Sequence, residues 1–169
     1  MLECNIDEEL INRAEKTAKA VIEKLKSLSL KLVLAESCTA GLISSMLADI
    51  PGASGILWGS FACYTKDAKI SMLGLEKNAL DSCDLVSSET ACLMAAGALL
   101  KSGADIAVSV TGLAGPDGDG SGVPVGTVWV AAALRSGGID VREFHFSGAR
   151  NENRIKAAIA VLDIIMEKI

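Results

Sequence analysis

Three short polar segments carry the residue types that chemistry needs. The first, Glu36-Ser37-Cys38-Thr39-Ala40-Gly41, ends the apolar run LKLVLAE (30–36) and leads into the helical stretch GLISSMLADI. A hydroxyl at such a strand-to-helix junction meets free backbone N–H groups and a partial positive charge, both suited to an oxyanion. Ser37 there reads as a nucleophile, and Cys38 is its rival because thiols at helix N-termini are acidified. Glu36 is placed to orient a lysine or a substrate ring, or else to sit as a strand-end carboxylate on the surface. The segment also answers a plainer need, since Ser and Thr are what any helix N-cap prefers. Spacing alone leaves both readings open.

The second segment is Tyr64-Thr65-Lys66-Asp67-Ala68-Lys69. Lys66 reads as a solvated residue at a helix start, whereas Lys69, one turn further on, is a candidate general base. A lysine base must be neutral, which at pH 7 costs about 4–5 kcal/mol from a pKa of ~10.4 unless burial or a neighbouring charge lowers it. The third segment, Ser109-Val110-Thr111-Gly112-Leu113-Ala114-Gly115-Pro116, runs on into DGDGSG (117–122). Glycines this dense let backbone amides approach a phosphate or carboxylate closely. The loop lacks both the Gly-Lys-Ser/Thr ending of a P-loop and GxGxxG spacing. Read as a calcium loop from Asp117, its twelfth position is Val128 rather than Glu, which excludes that site. Residues 117–122 are equally well a flexible surface turn.

Nucleophile partners are few. His145 is the only histidine, so a His-based metal site is excluded and a Ser–His–Asp triad hangs on one distant residue. The five cysteines (Cys4, Cys38, Cys63, Cys83 and Cys92) form no CxxC pair and no metal-finger spacing; they read as reduced thiols. A metal-free Ser–Lys pair is the more available design.

The elements that must position these residues follow from periodicity. Residues 8–27 place Leu10, Ile11, Ala14, Ala18, Val21, Ile22 and Leu25 on one helical face. Strands are expected over 30–36, 55–65, 104–112, 126–134 and 139–146. Arg135-Ser136-Gly137-Gly138 reads as a hairpin turn between the last two. Helices follow at 41–50, at 67–74 with Asp67 as its cap, at 88–102 behind Ser87 or Ser88, and at 150–168; a polar connection fills the stretch before Ser87. The fold class is therefore α/β: a three-layer α/β/α sandwich with a mixed, mostly parallel sheet of about five strands, in one domain over 1–169. Sites in such folds lie at the C-terminal ends of strands, where all three polar segments fall.

With 169 residues, 50% hydrophobic and 4% aromatic, the core must be built from Ala, Val, Leu and Ile. A net charge of −5 with no Lys/Arg cluster argues against nucleic acid as a partner. No apolar run reaches the ~20 residues of a membrane helix, and MLECNIDEEL has no signal-peptide pattern. A cytoplasmic protein is expected, and a homo-oligomer suits its apolar helix faces and modest size.

AESCTAG, FACYTKDAK, and SVTGLAGPDG followed by PVGTVWVA, in this order and spacing, resemble the nicotinamide-nucleotide deamidase family, the C-terminal domain of competence/damage-inducible proteins. The resemblance runs from about residue 8 to 168 and implies a stand-alone form without the family's molybdopterin-binding-like domain. It implies hydrolysis of the carboxamide of nicotinamide mononucleotide to nicotinate mononucleotide and ammonia, without a cofactor. Residue by residue, Ser37 matches the nucleophile and Lys69 the base, with Tyr64 between them as a possible relay. The substrate-binding positions implied are Glu36, Cys38, Thr39, Gly41, Thr111, Gly112, Ala114, Gly115 and Arg150. The amides of Cys38–Gly41 would hold the oxyanion, and Arg150 with loop amides around 112–116 the ribose phosphate. One departure stands out: the family usually carries two glycines after the threonine, and here the first is Ala40. Two other readings are a nucleotide-binding module without chemistry and a DNA-associated accessory protein; the acidic charge argues against the second.

Overall fold

The computed structural model describes residues 7–169, so the expectations for Cys4 and the first six residues lie outside the described part. Helix α1 (Glu8–Leu28) starts on the Asp7 side chain, which accepts from the Glu9 N–H, and buries Ala14, Ala18, Val21, Ile22 and Leu25. Then come β1 (Leu32–Glu36), α2 (Leu42–Ala48), a 3₁₀ turn (Ala53–Gly55), β2 (Leu57–Ala62), α3 (Lys66–Leu73), α4 (Lys77–Asp81) and α5 (Ser88–Ser102). The chain continues through β3 (Ile106–Gly112), β4 (Thr127–Leu134), β5 (Ile139–His145) and α6 (Arg150–Lys168).

The five strands form one mixed sheet in the order β2-β1-β3-β4-β5. β1 pairs parallel with both β2 and β3, because helices intervene and return the chain to the same end. β3–β4 and β4–β5 are antiparallel. The sandwich expected from the residue pattern is therefore present, with a parallel heart and an antiparallel flank.

Strand alternation decides which side each residue serves. On β1, Leu32 and Leu34 join the core with Val21, Ile22 and Leu25 of α1, Ile43 and Leu47 of α2, and Val161 and Leu162 of α6. Val33 and Ala35 point the other way, into a cluster with Leu73 of α3 and Met94 and Ala98 of α5. Where α5 crosses the sheet, contact is alanine on alanine: Ala91 and Ala95 against Ala131 and Ala133. That close approach explains how a core so poor in aromatic residues fills its volume.

Two local expectations need correction, and the structure chooses between the alternatives of a third. The cap of α3 is Thr65, whose hydroxyl accepts from the Ala68 N–H at 3.1 Å, rather than Asp67, which lies in the first turn. Thr65 is extended (φ −101, ψ 166) and the helix begins directly after it. The connection before Ser87 contains α4, a single turn too short for periodicity to register, held by buried Leu80. The cap of α5 is Ser87, accepting from the Thr90 N–H at 3.1 Å.

A buried serine–lysine pair at the strand ends

Because β1, β2 and β3 run parallel, their C-terminal ends share one edge of the sheet, and the three polar segments meet there. Glu36 and Ser37, adjacent in sequence, part company at this edge. Glu36 follows the parity of Leu34 and turns toward α2; Ser37 follows Ala35 and turns toward α3.

Glu36 is fully buried, and its carboxylate accepts from the N–H groups of Gly41 (2.9 Å), Ile43 (3.1 Å) and Ser44 (3.0 Å) and from the Ser60 hydroxyl (3.0 Å). A carboxylate over the first amides of α2 satisfies orphan donors and complements the helix dipole. Glu36 thus holds α2 to the strand from the side away from the site, and neither orienting a substrate nor facing solvent describes it.

The same bonds revise the oxyanion expectation. The Gly41 amide is taken by Glu36, and the Ala40 amide donates to the Ser37 carbonyl at 3.1 Å. The Cys38 and Thr39 N–H groups are left without a protein acceptor among the described residues. The turn that frees them carries Ala40 at φ 51 and Gly41 at φ 92, both left-handed. Alanine is strained there and glycine is not, so a glycine at position 40 would suit the backbone conformation better.

Lys69 enters from the α3 side. It is 1% exposed, with Nζ 2.9 Å from Ser37 Oγ and donating to the Cys63 carbonyl at 3.1 Å. Burial pushes its pKa down from the ordinary lysine value. No carboxylate pairs with it among the described residues. Cys38 is 6% exposed, and burial raises its thiol to about 11, against the acidification expected of a cysteine at a helix start. Desolvation wins because Cys38 lies in a tight turn ahead of α2 rather than in its first turn. The pair is therefore an amine whose charge burial disfavours beside a hydroxyl, with a buried thiol of raised pKa next to them.

A cavity of about 250 Å³ opens over this pair, lined by Ser37, Cys38, Tyr64, Lys69, Leu85, Val86, Thr111–Gly115, Asp117, Asp119 and Arg150. Thr111 is 2% exposed and donates its hydroxyl to the Leu85 carbonyl at 2.7 Å, tying the segment before α5 to the cavity wall. Gly112 admits no side chain, since a Cβ there would stand 2.6 Å from the Thr127 carbonyl oxygen. Arg150, first residue of α6, donates to the Gly115 carbonyl and, at 2.9 Å, to the Tyr64 hydroxyl. Tyr64 is half exposed at the mouth and does not stand between Ser37 and Lys69, so the relay is unnecessary to their contact.

Of the expected site residues, Ser37, Cys38, Tyr64, Lys69, Thr111, Gly112, Ala114, Gly115 and Arg150 line one cavity. Glu36, Thr39 and Gly41 do not: Thr39 is fully buried beneath the turn, and Gly41 serves the turn through its φ. Leu85, Val86, Asp117 and Asp119 line the cavity unannounced. Asp117 and Asp119 come from the loop read equally as a surface turn. Arg154 was also missed. Its Nε donates to the Cys38 carbonyl at 3.2 Å and its Nη2 to the Thr39 carbonyl at 2.7 Å. The signal was its place four residues after Arg150, on the same helical face. Among the described residues no three His, Cys, Asp or Glu side chains gather as metal ligands, and no helix is long and apolar enough to cross a membrane.

Residues 14–169 match the family described as the CinA C-terminal domain. The chain is 42% identical over 135 residues to a CinA-like protein of Syntrophomonas wolfei, covering 80% of this chain and 32% of that protein. It is 41% identical over 151 residues to a putative competence-damage inducible protein of Caldicellulosiruptor saccharolyticus, covering 89% of this chain and 36% of the other. The chain thus spans about a third of the length of these curated relatives. Among solved structures, a competence/damage inducible protein from Agrobacterium tumefaciens superposes with a TM-score of 0.88 at 38% identity, covering 92% of this chain and 94% of that one. A CinA superfamily protein from Escherichia coli gives a TM-score of 0.88 at 28% identity, covering 98% and 95%.

Proposed function

The chain belongs to the CinA C-terminal domain family, and from that premise we propose that it is an amidohydrolase that deamidates nicotinamide mononucleotide through a Ser37–Lys69 pair. The observation that carries the reading is the buried 2.9 Å contact between Lys69 Nζ and Ser37 Oγ on the wall of a cavity with Arg150 at its mouth. The motif resemblance supplies the substrate.

As Ser37 Oγ attacks the carboxamide carbon, its proton passes to neutral Lys69 Nζ. The Cys38 N–H, on the cavity wall directly after the nucleophile and free of a protein acceptor, receives the tetrahedral oxyanion. Lys69 then returns the proton to the departing nitrogen, which leaves as ammonia. Water attacks the resulting ester, its proton passing to Lys69; as the ester bond breaks, that proton returns to Ser37 and nicotinate mononucleotide is released. Lys69 reaches Ser37 directly, so Tyr64 serves through Arg150, and a Tyr64→Phe enzyme is expected to keep kcat within a few-fold. The ribose phosphate faces the rim, toward Arg150.

The test is ammonia and nicotinate mononucleotide production by the purified protein, beside Ser37→Ala and Lys69→Ala. Both variants are expected to lose at least about a hundredfold in kcat. A Ser37→Ala enzyme at full rate would sink the covalent route. A wild type inactive from pH 6 to 10 that still binds the nucleotide would leave a binding module.

A further inference from the structure

We infer that Leu85 and Val86 form the face on which the aromatic ring of the substrate lies, and so select a planar ring as the group that carries the carboxamide; the inference rests on the deamidase reading. In nicotinamide the reacting carbon is bonded directly to the ring, so a carboxamide brought to Ser37 Oγ brings the ring into the same cavity. A ring leaving water is stabilised where it covers apolar surface. The branched aliphatic residues of the lining are Leu85, Val86 and Leu113. Tyr64, the aromatic side chain of the lining, stands half exposed at the mouth with its hydroxyl taken by Arg150.

The sheet places Leu85 beside the nucleophile. In the order β2-β1-β3, Ser37 follows the middle strand, Tyr64 follows β2 on one flank, and β3 lies on the other. The Ser37 N–H donates to the Val110 carbonyl at 3.0 Å, and Thr111, the next residue of β3, holds the Leu85 carbonyl through its hydroxyl at 2.7 Å. The preceding carbonyl, of Asp84, accepts from the hydroxyls of Ser87 and Thr90, each at 2.7 Å. Three hydroxyls therefore pin two successive carbonyls of this connection. The core does not account for such fixing: neither Leu85 nor Val86 joins a hydrophobic core cluster, and Leu85 remains 37% exposed. Both side chains line the cavity instead. With the carboxamide at Ser37 and the ribose phosphate toward Arg150, the ring falls against this fixed apolar wall.

A wall that contacts the ring alike in ground and transition states acts on KM and leaves kcat nearly unchanged. Wild type, Leu85→Asn, Leu85→Met and Val86→Thr are compared for ammonia release from nicotinamide mononucleotide, for calorimetric binding of nicotinate mononucleotide, which keeps the ring, and for thermal melting. Leu85→Asn, close to leucine in size but polar, is expected to raise KM about tenfold with kcat within threefold, and to weaken product binding in step. Leu85→Met keeps the apolar surface and is expected to stay within about twofold of wild type. Val86→Thr covers the case in which the asparagine variant does not fold; a KM rise above about threefold is expected. A folded Leu85→Asn enzyme with wild-type KM, a loss carried by kcat alone, or a methionine variant as impaired as the asparagine one overturns the inference and leaves the deamidase reading standing. A wild type without ammonia release removes the parent reading, and this one with it.

Discussion

Replacing Lys69 by methionine keeps the stem and removes the amine, and two effects on stability then oppose each other. The Cys63 carbonyl loses the donor it has at 3.1 Å, which for a buried acceptor costs about 1–3 kcal/mol at any pH. Against this, the variant no longer holds an amine whose charge burial disfavours, a gain of about 1.4 kcal/mol for each unit by which the pKa is depressed. The terms are of similar size, so the net difference at one pH decides little. The slope decides. With its folded pKa lowered below 10.5, Lys69 binds a proton in the unfolded chain that it lacks in the folded one between those two values. Wild-type stability relative to Lys69→Met must then climb with pH through that window, by up to about 1.4 kcal/mol per pH unit, and level off near 10.5. The assay is urea unfolding of both proteins from pH 6 to 10.5, run beside wild-type kcat/KM, which should rise with pH through the same folded pKa as the neutral base appears. A stability difference that stays flat, or falls as pH rises, would refute the claim that the fold holds this amine toward neutrality.

Glu36→Gln replaces one carboxylate oxygen with a donor facing donors, and urea unfolding should show a loss of about 2–4 kcal/mol. With its thiol raised to about 11 and buried, Cys38 should stay unmodified by iodoacetamide at pH 8 in the native protein, and mass spectrometry of tryptic peptides reads this directly. A Cys38→Ala enzyme should remain active, whereas loss of turnover with the fold intact would return Cys38 to candidacy. Ala40→Gly relieves a left-handed alanine and should stabilise by roughly 0.5–1 kcal/mol after the entropy of the freer unfolded chain is counted.

How legible the molecule was in its residues depended on whether a feature was local. Strands and long helices announced themselves through period and cap, and Gly74 and Gly103 ended α3 and α5 where expected, both left-handed. That the three polar segments would meet followed from parallel pairing of β1, β2 and β3. What failed was anything decided by the third dimension. Glu36 and Ser37 look like one cluster in a string, yet the two-residue period of β1 sends them to opposite faces, a distinction legible in principle once Leu34 and Ala35 are assigned sides. The acidification expected of Cys38 assumed an exposed helix start, and burial reversed it. No pattern in residues 85–86 foretold that they would wall the cavity, because a hydroxyl bond from Thr111, 26 residues further along, ties them there.

The grip of α6 on the nucleophile turn has a consequence for the order in which the site comes alive. Arg154 and the Cys38 carbonyl it holds are 116 residues apart along the chain. During synthesis Ser37 and Lys69 leave the ribosome first, with the strand and helices that carry them. A nascent chain therefore holds its reactive serine and lysine well before it can hold the peptide planes beside them. Contacts of such long separation are also the slow ones to form. The final helix completes a turn whose serine and lysine were made first, so the hydrolysis proposed for this pair would wait on its docking.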